Sequence, residues 1–330
     1  MNAPLVSVII PTFNSSDYIL EAIESVLEQT YSPIEIIVID DGSTDDTRGK
    51  LQEKIQAGQI RYVFQENRGL AAARNRGIRE AAGTYLQFLD ADDLIVPTKI
   101  QKQVSLLEGS PSASICGSDF RFFDESNVSN LYGGDPLEGQ FPFADVRQLF
   151  TFQTVVHRWL FPASLVREAG CFEESAPNVW LMEDWLMIWK LVAMGTSILY
   201  VEEPLALYRR HPSSMTADFG KAAKGHFFAL DRVEEFQKRH NLAPYPQKEL
   251  DELRESYHYE LGLFFLRNNH PMKAWRHFWK ALVLAPNRRQ NKLLLVLAIP
   301  ALGSRAIDWV GAANQHLWRW RAQVRKTLAG

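Results

Sequence analysis

Cysteine is scarce in this sequence, and long apolar runs are absent. The two cysteines among 330 residues, Cys116 and Cys171, cannot build a disulfide framework, and their spacing is not that of a metal-binding motif. We therefore expect a cytoplasmic protein. The longest apolar run, residues 293–303, contains Pro300, whereas a membrane span needs about 20 apolar residues. We also expect no signal peptide, because the chain does not open on a basic segment followed by a long apolar core.

Glycine-rich phosphate-binding loops are missing as well. Neither G-x-G-x-x-G nor G-x-x-x-x-G-K-[ST] occurs, and the first predicted strand ends instead in Pro11-Thr12-Phe13-Asn14. If a nucleoside diphosphate binds, a cation and basic side chains must hold its phosphates in place of loop amides. This absence strengthens the interpretation of acids at strand ends as ligands of a cation.

Apolar runs alternate with helical patterns in the first half of the chain. The patterns predict strands at residues 5–11, 34–40, 60–64 and 85–89, and helices at 17–29, 43–55, 70–82 and 98–107. Such alternation predicts an α/β fold with a mostly parallel sheet and helices on both faces. Ser43 and Thr44 are predicted to cap the second helix, residues 121–160 to form an irregular insertion, and residues 197–201 a short strand.

The length and the change of pattern near residue 218 predict three regions. Residues 1–218 form the α/β domain, residues 219–286 a helical region, and residues 287–330 a basic tail. The helices predicted at 247–266 and 270–284 look like one tetratricopeptide unit. A single unit cannot bury its own apolar face, so we expect it to pack on the main domain or in a homodimer.

Charge is concentrated in the tail, although the net formal charge of the chain is only −3. Residues 287–330 hold eight basic residues and one acid, Asp308, with Trp309, Trp318 and Trp320 among them. Such a segment is typical of a helix on an anionic membrane surface, here the inner face of the cytoplasmic membrane. A helix pair packed on protein is the alternative that the sequence leaves open.

Three acids close the strand predicted at residues 85–89, namely Asp90, Asp92 and Asp93. The carboxyl ends of parallel strands form the ligand crevice of an open sheet. Asp90 and Asp92 suit Mg²⁺ or Mn²⁺, which prefer oxygen ligands, although an acidic surface turn explains them equally. Asp41 closes the second strand, where it either accepts from a nucleobase or ribose or belongs to an ordinary Asp-Gly turn.

Four further residues carry a chemical interpretation and a plainer one. Glu183 and Asp184 open a predicted helix, where the helix dipole favours acids and where one of them could act as a general base. Arg74 is predicted either to face a diphosphate or to be a solvated helix arginine. His211 follows Arg209 and Arg210 in a segment suited to polyanions, and its imidazole could complete a metal site.

Together these motifs resemble family 2 of the inverting glycosyltransferases, which have the GT-A fold. The matching pieces cover roughly residues 5–216 in family order: Val6–Asn14, Asp40–Asp45, Asn67–Gly69, Ala73–Asn75, Asp90–Asp93, Glu183-Asp184 and Tyr208–His211. The resemblance implies a mostly parallel Rossmann-like central sheet flanked by helices. The helical pattern beyond residue 218 adds an all-helical C-terminal extension.

The resemblance also implies roles for individual residues. Asp184, within the Glu183-Asp184 pair, would be the catalytic base, and Asp90, Asp92 and His211 would hold Mn²⁺ or Mg²⁺. Contacts with the nucleotide-sugar donor would come from nine residues: Pro11, Thr12, Asn14, Asp41, Asn67, Arg74, Asp90, Ala91 and Arg209.

The implied activity is a metal-dependent, inverting transfer from a nucleotide-sugar, with UDP as the default nucleotide. The acceptor would be a hydroxyl of a saccharide or lipid-linked glycan, in the synthesis of cell-surface polysaccharide or glycoconjugates. The Gln-x-x-Arg-Trp motif and membrane helices of processive synthases are missing, which favours the addition of single sugars. We expect no nucleic-acid partner. The alternatives are a nucleotidyltransferase on a related sheet and an inactive sugar-nucleotide-binding protein.

Overall fold

The computed structural model describes residues 3–110, 114–125, 127–134, 154–174, 182–211 and 219–284, together with Val296 and Ile299. The chain divides into two compact units, Met1–Ala217 and Asp218–Gly330. The basic tail predicted at 287–330 lies outside the described residues apart from Val296 and Ile299, so its separate role stays a prediction.

Unit 1 begins with alternating strands and helices, as the hydrophobic pattern predicts. These are β1 (Val6–Thr12), α1 (Ile19–Leu27), β2 (Ile34–Asp40), α2 (Thr47–Gln56), β3 (Arg61–Phe64), α3 (Leu70–Glu80) and β4 (Tyr85–Phe88). The later elements are β5 (Leu94–Ile95), α4 (Lys99–Glu108), β6 (Ser114–Asp124), β7 (Asn127–Tyr132), a 3-10 turn (Val156–Arg158), β8 (Phe161–Pro162), α5 (Ala163–Glu168), α6 (Glu183–Ala193) and β9 (Ser197–Arg210).

The central sheet has the strand order β3-β2-β1-β4-β8, with β8 antiparallel and the other pairs parallel. Every residue of β1 is buried, because helices cover both faces of the sheet. Neighbouring residues of β1 enter different cores, Ile9 on one face and Val8 and Ile10 on the other. The carboxyl ends of β1, β2 and β4 therefore meet at one edge of the sheet.

A second sheet, with the order β5-β9-β6-β7, corrects two predictions. Residues 121–160 are not wholly irregular, because β6 continues to Asp124 and pairs with β7 as a hairpin, where the rings of Phe120 and Phe122 pack 5.2 Å apart. The strand predicted at 197–201 runs on to Arg210. It accommodates Pro204 at a shift of register opposite Asp119, where the missing N–H costs no regular ladder bond. Residues 135–153 lie outside the described residues.

The start of the second helix is also different from the prediction. Helix α2 begins at Thr47, and Ser43 and Thr44 do not cap it. Ser43 Oγ accepts from the backbone N–H of Asn14, and the Thr44 N–H donates to the Asn14 side chain. Tertiary partners on the loop after β1 therefore replace the local cap.

Unit 2 contains α7 (Phe219–Arg239), α8 (Gln247–Arg267) and α9 (Pro271–Leu284), which confirms the predicted helix pair. Gly262 on α8 permits the close packing of α9, because a Cβ there would lie 2.6 Å from Cε1 of Phe278. No helix of the described part of the chain has the length and apolar character to cross a bilayer.

Candidate active site

The three acids predicted to follow the fourth strand, Asp90, Asp92 and Asp93, lie at the edge of the central sheet where the parallel strands end. The acid turn, which we define as Asp90–Asp93, connects β4 of the first sheet with β5 of the second. Ala91 and Asp93 are buried, whereas Asp90 and Asp92 are partly exposed. The turn thus offers two of its three carboxylates to a ligand and keeps the third inside the protein.

Arg74 joins the acid turn to the start of α6. Its Nη2 donates to Oδ1 of Asp90 at 2.7 Å, while its Nη1 contacts Oε1 of Glu183 at 3.3 Å and donates to Oδ1 of Asp184. The side chain is 1% exposed, so the solvated alternative is excluded. Burial alone would lower the pKa of the guanidinium, but Asp184, Asp90 and Glu183 outweigh burial and raise it. Arg74 therefore stays charged and fixes three carboxylates.

Asp184 has the environment of a general base. Burial raises the pKa of its carboxyl, the Arg74 guanidinium opposes that rise, and Asp90 adds to it. Its second oxygen, Oδ2, accepts from the backbone N–H of Val156 at 3.1 Å. Burial and the Asp184 charge raise the pKa of Glu183 as well, and Oε2 of Glu183 has no hydrogen-bond partner among the described residues. The pair therefore holds a carboxyl group that can take up a proton near neutral pH.

Asp92 and His211 are in contact, as two ligands of one cation would be. Nε2 of His211 lies 2.9 Å from Oδ2 of Asp92, and the imidazole packs against the ring of Tyr18 with a tilt of 36° and 4.9 Å between the ring centroids. Burial and the Asp90 charge raise the pKa of Asp92, while His211 lowers it. The Arg209 side chain is turned inward, since its Nε donates to the backbone carbonyl of Asp92. Its donor-binding role stays a prediction.

Asp93 and His157 form a second, buried pair that the sequence analysis did not bring together. His157 Nδ1 lies 3.2 Å from Oδ2 of Asp93, and Oδ1 of Asp93 accepts from the backbone N–H of Arg209 at 2.8 Å. Burial lowers the pKa of His157 to about 3, so the imidazole is neutral. The sequence identifies Asp93 as part of the acid turn, but no pattern in the segment around His157 indicates a functional histidine.

The far side of the candidate site is formed by the loops after β1 and β2. Asp41 accepts three hydrogen bonds, from Nε2 of Gln65 and from the backbone N–H groups of Arg68 and Gly69. A Cβ on Gly42, whose φ is +83°, would lie 2.8 Å from the backbone nitrogen of Asn67. Asp41 therefore fixes the 65–69 loop, and a carboxylate has lone-pair capacity left for one more donor.

Three further predicted donor contacts line the same side. The Asn14 side-chain oxygen accepts from the backbone N–H groups of Thr44 and Asp45, with a φ of +50° at Asn14 itself. Pro11 and Thr12 end β1, and the Thr12 carbonyl accepts from the N–H of Asp41 at 2.8 Å. The donor contacts predicted for these residues are compatible with this position and stay predictions.

The carboxylate oxygens and imidazole nitrogens around the acid turn are suitable ligands for a divalent cation. Among the described residues, ligand atoms of Asp90, Asp93 and His157 all lie within 4.8 Å of one another. Burial and the neighbouring carboxylates raise the pKa of Asp93, as they do for Asp92, which shows a shortage of positive charge in the turn. Two candidate ligand sets follow. The first is Asp90, Asp93 and His157, which the structure gathers. The second is the predicted set of Asp90, Asp92 and His211, of which the structure shows only Asp92 and His211 in contact.

The chain is similar in sequence to known proteins. The model of the family described as "Glycosyl transferase family 2" matches residues 7–169. A Bacillus subtilis (strain 168) protein named as a teichuronic acid biosynthesis glycosyltransferase, TuaG, is 33% identical over 239 residues, which cover 70% of this chain and 89% of TuaG. The sequence similarity thus extends beyond the residues that the family model matches.

Solved structures match the fold over nearly the whole chain. The crystal structure of Staphylococcus aureus TarS 1–349 in complex with UDP-GlcNAc has a TM-score of 0.66 at 16% identity and covers 94% of this chain and 91% of its own. The mannosyltransferase PcManGT from Pyrobaculum calidifontis, in complex with GDP-Man and Mn²⁺, has a TM-score of 0.56 at 20% identity and covers 97% and 88%. The predicted α/β architecture of GT-A type, with its helical C-terminal region, is confirmed.

Proposed function

The chain belongs to glycosyltransferase family 2, and from that membership we propose that it transfers one sugar from a nucleoside diphosphate donor to an acceptor hydroxyl with inversion. Asp184 is the proposed general base. A divalent cation, Mn²⁺ or Mg²⁺, is the proposed cofactor, held by the acid turn and His211.

One observation carries the proposal, namely the bridge that Arg74 makes between the two halves of the site. The guanidinium contacts Asp90, in the turn proposed to hold the donor, and Asp184, the proposed base. The donor and the acceptor must react at one carbon atom, so the base and the acid turn need a fixed separation. A buried, fully charged arginine between them supplies that fixed geometry.

The proposed step is a single displacement. Asp184 takes the proton of the acceptor hydroxyl, the new bond forms between that oxygen and the anomeric carbon, and the bond from the same carbon to the diphosphate oxygen breaks. The N–H of Val156 orients the carboxylate of Asp184 through Oδ2. When bound, the cation supplies charge stabilisation for the departing diphosphate. Attack from the side opposite the leaving group inverts the anomeric configuration.

The donor and acceptor are proposed by analogy and by position. UDP is the default nucleotide, because TarS was solved with UDP-GlcNAc, although PcManGT was solved with GDP-Man. Asp41 and Asn14 are proposed to contact the nucleoside of the donor. The acceptor is proposed to be a saccharide or lipid-linked glycan of a cell-surface polysaccharide, which the name of TuaG supports. We propose that the enzyme is cytoplasmic and that its tail lies on the inner face of the cytoplasmic membrane.

The nucleotidyltransferase and inactive-protein alternatives receive no support from the site. Each carboxylate needed for the displacement is present, and Asp184 is both oriented and partly accessible, with 21% of its side chain exposed. A decayed site would have no reason to maintain three acids, of which Glu183 is buried and Asp90 and Asp184 are partly exposed, around one buried arginine, since such a cluster is costly to desolvate.

The deciding experiment is a panel of UDP-, GDP- and dTDP-sugars incubated with the full chain, with and without Mn²⁺ and Mg²⁺. We expect metal-dependent hydrolysis of one donor, and transfer with inverted configuration, by proton NMR of the product, once an acceptor is supplied. Transfer of a nucleotidyl group instead of the sugar would reject the proposal.

A further inference from the structure

Helix α9 in unit 2 has an exposed face that neither the fold nor the active site requires. Its opposite face is buried through Ala274, Phe278 and Ala281. Of the eight large apolar side chains that are exposed among the described residues, three lie on this helix: Met272 and Val283, each 63% exposed, and Trp279, 49% exposed. Scattered apolar side chains are ordinary on a protein surface, whereas a cluster on one helix is informative.

Cations lie directly beside these apolar side chains. At about 100° per residue, Met272, Trp279 and Val283 form one stripe along the helix, and the cations form the adjacent stripe: Lys273, Arg276 and Lys280. Within the part of the chain that the structure describes, none of the three cations pairs with a carboxylate. Helix α9 itself contains no acidic residue.

The cation stripe and Trp279 border a groove of about 390 Å³. The indole rings of Trp275 and Trp279 stack at 6.0 Å on one side of it, and the three cations, His277 and Phe265 line the rest. Nε1 of Trp275 donates to the carbonyl of Val296 at 3.1 Å, which fixes that ring. The helix therefore presents aromatic, aliphatic and cationic groups from a rigid support.

We propose that this α9 face binds the anionic surface of a lipid bilayer. The side chains of Met272, Trp279 and Val283 enter the headgroup region. The three cations contact lipid phosphates, and the negative surface potential of the bilayer stabilises each cation. The inference goes beyond the proposed transfer reaction and does not depend on it. It also assigns membrane contact to α9, whereas the sequence predicts such contact for residues 287–330.

The composition of the face selects this occupant over two others. A second copy of the chain docked face to face would bring six cations together without an acid on either helix, which like-charge repulsion disfavours. An anionic saccharide chain would contact the cations and the indole rings, but it would gain little from contact with the exposed apolar side chains of Met272 and Val283. A lipid headgroup layer uses all three kinds of group.

The test is flotation of the full chain with vesicles of phosphatidylcholine alone or with about 30% phosphatidylglycerol. We expect binding to the anionic vesicles only, weakened by salt because charges near the surface are screened. The triple variant Lys273→Gln, Arg276→Gln, Lys280→Gln should lose about 100-fold in partition, from the usual stabilisation per charge. The matched control is Lys238→Gln, Arg239→Gln, Lys248→Gln, which removes three exposed cations from α7 and α8.

Three results would overturn the inference: no flotation of the unaltered chain, equal flotation of the α9 variant and the control, or binding to soluble polyphosphate in preference to vesicles. The last would assign the face to an anionic polymer. Hydrolysis of a sugar nucleotide by the same samples separates this test from that of the proposed function. Activity of the α9 variant should match that of the unaltered chain, because none of its three positions belongs to unit 1.

Discussion

Arg74 contacts Asp90 and Asp184 with the two ends of one guanidinium, so the acid turn and the proposed base cannot move independently. The two carboxylates are 94 residues apart in sequence, and the arginine lies on a third element, α3. A buried charge is stable only when opposite charges surround it. Each partner therefore depends on the other two, and this dependence leads to the first two predictions.

The variant Asp184→Asn should retain donor binding and lose turnover by about 10²–10⁴-fold, the usual contribution of a general base. The amide keeps the size of the carboxylate but cannot take up a proton. Product formation and UDP affinity, measured separately, give the two values. The control Asp231→Asn changes an exposed acid on α7 and should leave both values unchanged. Near-normal turnover of Asp184→Asn would show that another group is the base.

The acid limb of the pH–rate profile should depend on Arg74. Burial raises the pKa of Asp184 and the Arg74 charge lowers it, so turnover is lost as pH falls through that pKa and the base becomes protonated. Removing the charge in Arg74→Gln should move the limb to higher pH by about 1–3 units. Arg74→Lys keeps the charge and should move it less. Identical limbs in the two variants would separate Arg74 from the base, and circular dichroism would confirm folding.

Metal-dependent donor affinity should distinguish the two ligand sets. We expect Asp92→Asn and His211→Gln each to reduce UDP affinity in Mn²⁺ by at least about tenfold, since ligand loss costs at least as much as the loss of a supporting group. Affinity measured without metal should hardly change. His157→Gln is the comparison for the buried set. If only His157→Gln weakened metal-dependent binding in calorimetry, the ion would belong with Asp93 instead.

Gly77→Ala should destabilise unit 1 by about 1–3 kcal/mol through overpacking. A Cβ at this position would lie 2.2 Å from Cγ2 of Ile9, so α3 would have to move away from β1. The control is Gly109→Ala, where the nearest atom, the carbonyl oxygen of Ser105, is 3.4 Å away. Urea unfolding of both variants measures the difference. Equal midpoints would mean that the α3–β1 contact adjusts without cost.

The sequence revealed the parts of the site that depend on local pattern. A buried strand followed by Asp90 and Asp92 is a local signal, and so is the Asp41 turn after β2, because strand ends in an open α/β sheet share one edge. The succession of β1 to β4 along the chain follows from the same alternation of strands and helices. These features needed no knowledge of which distant segments pack together.

The remaining features depend on contacts between distant segments. Whether Arg74 is solvated or buried is decided by Glu183 and Asp184, which lie more than a hundred residues away. His157 reaches Asp93 through a 3-10 turn in a segment without periodicity. The β6–β7 hairpin was hidden for a similar reason, since its residues 120–134 mix aromatics with glycine and asparagine and show no simple alternation. Tertiary packing decided these features.

The link between β4 and β5 has only five residues, because β4 ends at Phe88 and β5 begins at Leu94. One of them is buried Leu89, and the other four are the acid turn, so the segment proposed to bind the donor and its cation is also the segment that connects two sheets. There is no spare length here. Insertions and deletions should accumulate elsewhere, for example in the β6–β7 hairpin, whereas the spacing from Phe88 to Leu94 should stay constant.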